Sequence, residues 1–286
     1  VTTDGVIAGV HFFPDDPPDK IARKVLRMNL SDLAAKGARP VGFLISVSLA
    51  ANVDDAWIAG FAAGLGDDAK SYSCPLLGGD TDRTPGPTAV SVSAFGAVPN
   101  GAMVRRSTAK AGDSVVVTGT IGDSALGVRL RQDANLAQRW RLTGAMQTHL
   151  EQRYLLPQPR NALAEAVLQH AGSAMDVSDG LAGDIAKLCR ASGAAAEIDV
   201  ARVPFSEAAR SALAAEPALI ETVLSGGDDY EIVLTLKPDK LTAFLAAAKK
   251  AGVAATEIGR IAAGQGASFI RDGKPLTFTR PSYSHF

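Results

Sequence analysis

The chain reads as an α/β (α+β) protein of two domains. Three observations predict this. Apolar segments of strand and helix period alternate through the first hundred residues, the turn Ala111-Gly112-Asp113 leads at once into a new apolar strand, and 286 residues suffice for two cores. The division is placed near 111, giving domains 1–111 and 112–286.

Residues 19–36 carry Ile21, Val25 and Met28 at helical spacing, widened by Leu26, Leu30 and Leu33, with Gly37 as a stop. Phe43 to Leu49 is predicted as a strand and 54–69 as a second helix. Pro75-Leu76-Leu77 then leads into a Gly78-Gly79 turn, and 90–98 alternates as a half-buried strand does. In the second half a strand opens at Ser114, a long helical stretch runs from about Ala125 to Tyr154, and Pro157 and Pro159 break it. Helix 161–170, strand 173–177, helix 181–191, strand 195–200, strand 230–236, helix 238–251 and a run of short strands complete the expected order. At the other end, Val1-Thr2-Thr3-Asp4-Gly5-Val6 reads as a strand end without a preceding methionine or turn, so the chain is expected to start inside its first domain.

Composition narrows the function. At 47% hydrophobic, 21% charged and a net charge of −1, the chain has no electrostatic footprint for nucleic acid. No apolar run approaches the roughly 20 residues that span a bilayer. Cys74 and Cys189 form no CxxC pair and read as reduced thiols of a cytoplasmic protein, with no zinc site.

The chemistry lies in five acidic clusters: Thr2-Thr3-Asp4, Ser31-Asp32, Gly78-Gly79-Asp80, Asp176-Val177-Ser178-Asp179 and Gly226-Gly227-Asp228-Asp229. Carboxylates beside small, hydroxyl-bearing or glycine residues suit Mg²⁺, a hard cation that takes oxygen ligands and bridges phosphates. Asp32 continues the apolar stripe of Ile21, Val25 and Met28, where a carboxylate is costly unless paired or metal-bound, and it lies in the last helical turn, which disfavours negative charge. Asp176 and Ser178 share one side of a strand end, and Asp179 can cap the helix that follows. Arg106 and Lys110 offer positive charge near the domain boundary, and His11 sits beside Phe12 and Phe13. There is no GxxxxGK[ST], no GxGxxG before a helix, no HRD or DFG set and no GxSxG. A phosphate binder built from carboxylates is what remains.

Together these phrases resemble the thiamine-monophosphate kinase family, of the aminoimidazole-ribonucleotide-synthetase-like (PurM-like) superfamily. The resemblance rests on TTD at 2–4, GVHF at 9–12, NLSDLAAKGARP at 29–40, LLGGDT at 76–81, RRSTAKAGD at 105–113, TGTIGDSALG at 118–127, MDVSDGL at 175–181 and GGDDYEI at 226–232. It implies ATP-dependent phosphorylation of thiamine monophosphate to thiamine diphosphate by direct transfer, without a phosphoenzyme and without a catalytic side chain acting as base. It further implies several Mg²⁺ ions held by Thr2, Thr3, Asp4, Asp32, Asp80, Asp176 and Asp179. ATP contacts from Gly79, Arg106 and Ser178, and substrate contacts from His11, Asp228 and Tyr283, are implied likewise. A homodimer is implied too, with the first domains pairing sheets and nucleotide near the interface. Two departures stand out: GGDDYE replaces the family's usual GGEDYE, and a GDDAA-like stretch upstream of the first acidic cluster has no counterpart. The clusters also admit a sister ATP-dependent enzyme acting on another small phosphate or amide, and a MgATP-binding protein without turnover.

Overall fold

The computed structural model describes residues 1–280 and 282, and its strands form two sheets. The first half holds β1 (Thr2–Ile7), α1 (Pro18–Ala35), β2 (Arg39–Ala50), α2 (Asp55–Ser71), β3 (Leu76–Thr84) and β4 (Ala89–Ala97). These strands lie in the order β1-β4-β2-β3, with β2 and β3 parallel and the other pairs antiparallel. One face of this mixed sheet packs on α1: Ile21, Val25, Leu26, Leu30 and Leu33 meet Val6, Phe43, Val47, Val90 and Val92 in one core. The other face is open, with Leu44 and Leu77 41% and 57% exposed.

The second half continues with β5 (Ser114–Thr118), α3 (Asp123–Gln132), α4 (Leu136–Arg139), α5 (Gly144–Leu155), α6 (Ala164–His170), β6 (Ala171–Asp176), α7 (Leu181–Ser192) and β7 (Ala195–Asp199). After these come α8 (Glu207–Ala215), α9 (Leu219–Ser225), β8 (Ile232–Leu236), α10 (Pro238–Lys250), β9 (Ala255–Ala262), β10 (Gly266–Arg271) and β11 (Lys274–Pro275). Its seven strands run β11-β10-β7-β9-β5-β8-β6. Both faces are covered, as the unbroken apolar runs of β5 and β8 require. Val115, Val117 and Val233 point toward Ile185 and Leu188 of α7, whereas Val116, Ile232 and Leu234 point toward Phe244 of α10. Ala34 and Ala35 of α1 enter this second core, so one helix serves both halves and brings Asp32 to the seam between them. No helix among the described residues is long and apolar enough to cross a membrane.

Four sequence expectations change. Gly78-Gly79 is not a turn but lies inside β3, where Gly79 pairs with Ile45 and a Cβ would meet the Ile45 carbonyl at 2.3 Å. The stretch 125–154 breaks into three helices, with Asp133 extended, Arg141 at φ +55° and Thr143 capping α5 through the Met146 N–H. Strand β8 starts at Ile232 rather than 230, because Asp228 and Tyr230 adopt φ of +62° and +50°, which no strand accommodates. Gly180, not Asp179, occupies the cap position of α7, and Asp184 reaches back to accept the Asp179 N–H at 2.9 Å.

Candidate active site

The site is built where β1, the end of α1, the β6–α7 turn and the loop 226–231 converge. In β1 the side chains alternate, so Thr2 and Asp4 face α1 while Thr3 faces the open side of the sheet, where its hydroxyl accepts from Ser93 at 3.0 Å and donates to the Val92 carbonyl at 3.1 Å. The Thr2 hydroxyl donates to Asp32. Asp176 ends β6, buried, close enough to Asp32 and Asp4 that burial and these two neighbours together push its carboxyl well up. Burial, Asp32 and Asp179 push Asp4 up to about 6. Asp4, Asp32, Asp176 and Asp179 thus form one electrostatic group, brought together from three segments of the chain.

Glycines set the turns that complete it. Gly180 has φ +100° and Gly227 φ +78°, and a Cβ on either would lie 2.5 Å from the neighbouring loop's backbone. This close approach lets the Asp228 N–H donate to the Ser178 carbonyl at 2.8 Å and the Tyr230 N–H to that of Val177 at 2.9 Å. Asp4, His11, Ser178, Asp179 and Asp228 consequently line one cleft of about 530 Å³, with Phe12, Met28 and Tyr154 among its apolar walls. His11 accepts the Ile7 N–H on Nδ1 at 3.1 Å.

Three lysines, none of them evident from the sequence, organise these acids. Lys24, 3% exposed, donates to Asp228 at 2.8 Å and to the His11 carbonyl at 3.1 Å, with its ammonium 4.3 Å from the Tyr154 ring centre. Lys187 pairs with both Asp179 and Asp184. Asp184, fully buried, is still pushed up to about 6 by that burial despite Lys187. Lys36 sits within reach of Asp176, Asp32 and Arg106 and donates to the Ala174 carbonyl at 3.1 Å; burial draws its ammonium down. The Asp184–Lys187 spacing on α7 was the one available signal, and on a helix that spacing is ordinary surface pairing.

Other predicted residues lie apart. Asp80 is exposed on the open face of the four-stranded sheet, opposite Ser46 and three strands from β1, roughly 14 Å by strand spacing. Gly79 lies beside it. Arg106 is exposed on the loop before β5, near Lys36, and Lys110 donates its N–H to Asp113 at 3.0 Å. Tyr283 lies outside the described residues.

The donor set fits Mg²⁺. Every candidate ligand is a carboxylate or hydroxyl oxygen, and burial together with neighbouring carboxylates pushes Asp4 and Asp176 up. Among the described residues no three His, Cys, Asp or Glu side chains form a closed metal cage. A cation that keeps water and substrate oxygens in its shell needs no such cage, whereas a structural zinc site does.

Residues 1–98 match the AIR synthase related protein family's N-terminal domain and residues 110–272 its C-terminal domain. The chain is 41% identical over 288 residues to a thiamine-monophosphate kinase of Caulobacter vibrioides, covering 100% of this chain and 80% of the relative. It superposes on the crystal structure of a thiamine-monophosphate kinase from Stenotrophomonas maltophilia K279a with a TM-score of 0.87, at 38% identity, covering 96% of this chain and 85% of that one. Against AaThiL complexed with AMPPCP and TMP the TM-score is 0.86 at 30% identity, over 100% and 86% of the two chains.

Proposed function

The chain belongs to the thiamine-monophosphate kinase family, and we propose that it transfers the terminal phosphoryl group of ATP directly and in line to the phosphate of thiamine monophosphate. One observation carries this reading: Asp4, His11, Ser178, Asp179 and Asp228, five residues singled out in the sequence, line a single cleft. Their chemistry divides the cleft. At one end Asp4, Asp32, Asp176 and Asp179, with the Thr2 hydroxyl, would hold Mg²⁺ ions. Bound Mg²⁺ would offset the repulsion between two phosphate-bearing substrates and neutralise charge on the transferring group.

At the other end the walls are aromatic and apolar, and Asp228 presents the one carboxylate suited to a cationic substrate ring. Lys24 and Tyr230 hold that carboxylate in place, the Tyr230 hydroxyl donating to it at 3.2 Å. The acceptor oxygen of a phosphate is already ionised at neutral pH, so the chain needs no general base. Burial and neighbouring carboxylates push the Tyr154 and Tyr230 hydroxyls up, and neither serves as one. Ser178, which lines the cleft, and Arg106, near Lys36, are the residues that would contact nucleotide phosphates.

We take residues 1–111 and 112–286 as the two domains and the cytoplasm as the place of action. We also take the molecule to be a homodimer through the open sheet face. Leu44 and Leu77, both more than 40% exposed there, are apolar side chains that a second copy would cover. Gly79 and Asp80 lie on that strand, which supports a nucleotide site close to the interface. The remaining called ligand, Thr3, faces the same side.

The test is product formation from MgATP and thiamine monophosphate, with EDTA and no-acceptor controls. Stoichiometric, Mg²⁺-dependent thiamine diphosphate and ADP are expected. Tight MgATP binding without thiamine diphosphate would move the assignment to a sister enzyme or a binding protein.

A further inference from the structure

A second cavity, of about 380 Å³, lies behind the loop 226–231, on the side away from Asp228. Arg153 and Arg160 line it together with Thr120, His149, Gln152 and Gln158. Both guanidinium groups converge on one carboxylate. Arg160 grips Glu231 through Nε at 2.6 Å and through Nη2, and Arg153 Nη2 donates to it at 2.8 Å. Glu231 is fully buried and also accepts the Thr118 hydroxyl at 2.7 Å, so its two oxygens are saturated.

The donors are not. Arg153 is 8% exposed and its Nε is buried without a partner. The Nη1 groups of Arg153 and Arg160 have no hydrogen bond among the described residues. Two guanidinium groups against one carboxylate leave a positive charge in a partly desolvated place. Asp229, whose carboxyl burial pushes up, accepts the Gly122 N–H at 2.8 Å on its side chain. Asp123, across the cavity, is taken up by Thr120, Ser206 and His149 at 2.6, 2.5 and 2.9 Å.

We propose that this cavity is a second ligand site, taking a phosphate group against the free donor edges of Arg153 and Arg160. Arginine forks match such oxyanions in geometry as well as charge. The site borders the loop that also carries Asp228. Arg153 donates to the Asp229 carbonyl at 3.0 Å, Glu231 accepts the Val177 N–H beside Asp176 at 2.8 Å, and Asp228 on the same loop faces the substrate end. A Cβ on Gly119 would lie 2.0 Å from the Glu231 carboxylate, so only glycine leaves room for it there.

The test is binding of inorganic phosphate to the full chain in EDTA without nucleotide, read by calorimetry and by the shift in Tm, which a ligand of the folded state raises. Glycerol 3-phosphate in a parallel arm separates free phosphate from a phosphate ester as the source. Gln152→Glu places a carboxylate at the mouth from an exposed position with no hydrogen bond to lose, and is expected to weaken binding about tenfold or more. Asp228→Asn, in the cleft, should change it less than about twofold, a shift within ordinary variation for a distant site. Arg160→Gln should abolish binding, and Gln152→Glu keeps the proposal testable if that variant fails to fold. Phosphate affinity unaltered by Gln152→Glu, affinity lost in Asp228→Asn, or no binding of either phosphate would overturn the second site.

Discussion

Two groups of acids around the cleft treat negative charge differently. Asp179 and Asp184 share Lys187, and Asp228 has Lys24, each with a direct ion pair. Among the described residues Asp4, Asp32 and Asp176 form no ion pair and have only Lys36 nearby and one another, and burial with these neighbouring acids pushes Asp4 and Asp176 up. The first arrangement completes itself within the chain. The second is costly until a cation arrives from outside, which is how a folded protein stores affinity for a metal–phosphate complex.

Breaking the uncompensated group should give the largest effect. Asp176→Asn and Asp32→Asn are each expected to cut turnover at least about 10²-fold, as removal of a transition-state charge stabiliser does. In EDTA the same variants should melt no lower than wild type, because a carboxylate repelled by its neighbours has been removed. Steady-state kinetics with melting curves checks this, and near-wild-type turnover in both variants would sink the shared-cation idea.

The comparison sharpens with pH. A carboxyl whose folded pKa lies above its unfolded value adds stability below the unfolded pKa and loses it as pH rises through the folded one. Asp4 moves from 3.8 to about 6, and Asp184 does the same. The Tm of the metal-free protein should therefore fall as pH rises from about 4 to above 6 on their account. Mg²⁺ should shrink the Asp4 share by favouring the ionised form and leave the Asp184 share, which Lys187 already faces. Melting at a series of pH values with EDTA or Mg²⁺ would reveal identical curves if no cation binds near Asp4.

A middling effect is expected at Lys187. Lys187→Met leaves buried Asp184 and its neighbour Asp179 without their cation, and should cost about 2 kcal/mol in urea unfolding, in the range of a hydrogen bond to a charged group. If Mg²⁺ restores most of that loss, the cation at Asp179 can stand in for Lys187; if it restores none, Asp179 is no ligand.

These lysines also mark the limit of what the sequence discloses. Helices α1 and α7 are legible because Ile21, Val25 and Met28, or Leu181, Ile185 and Leu188, repeat at helical spacing against a core. Asp32 is legible because it breaks that pattern. Lys24, Lys36 and Lys187 break nothing: a lysine on a helix ordinarily reads as a solvated face, and only the packing of the second half against α1 buries Lys24 to 3% exposure. Gly78-Gly79 misleads for the opposite reason. A glycine pair signals a turn locally, while here the close approach of β2 to β3 demands glycine inside a strand. Register and inter-domain contact are properties of the assembled chain, and residue spacing along one segment does not encode them.

The smallest effect tests the substrate end. Asp228 sits at φ +62°, a conformation Asp tolerates better than most residues, and Lys24 fixes one oxygen at 2.8 Å while Tyr230 donates to the other. Asp228→Glu restores the GGEDYE form and carries the carboxylate one methylene further into the cleft. The gain in reach toward a cationic ring is offset by backbone strain and by a lengthened bond to Lys24. KM for thiamine monophosphate should fall by no more than about tenfold, with kcat nearly unchanged, since one methylene in a binding pocket is worth little more. A rise in KM together with a fall in kcat would mean that the Lys24–Asp228 spacing, not the reach of the acid, sets the substrate's position.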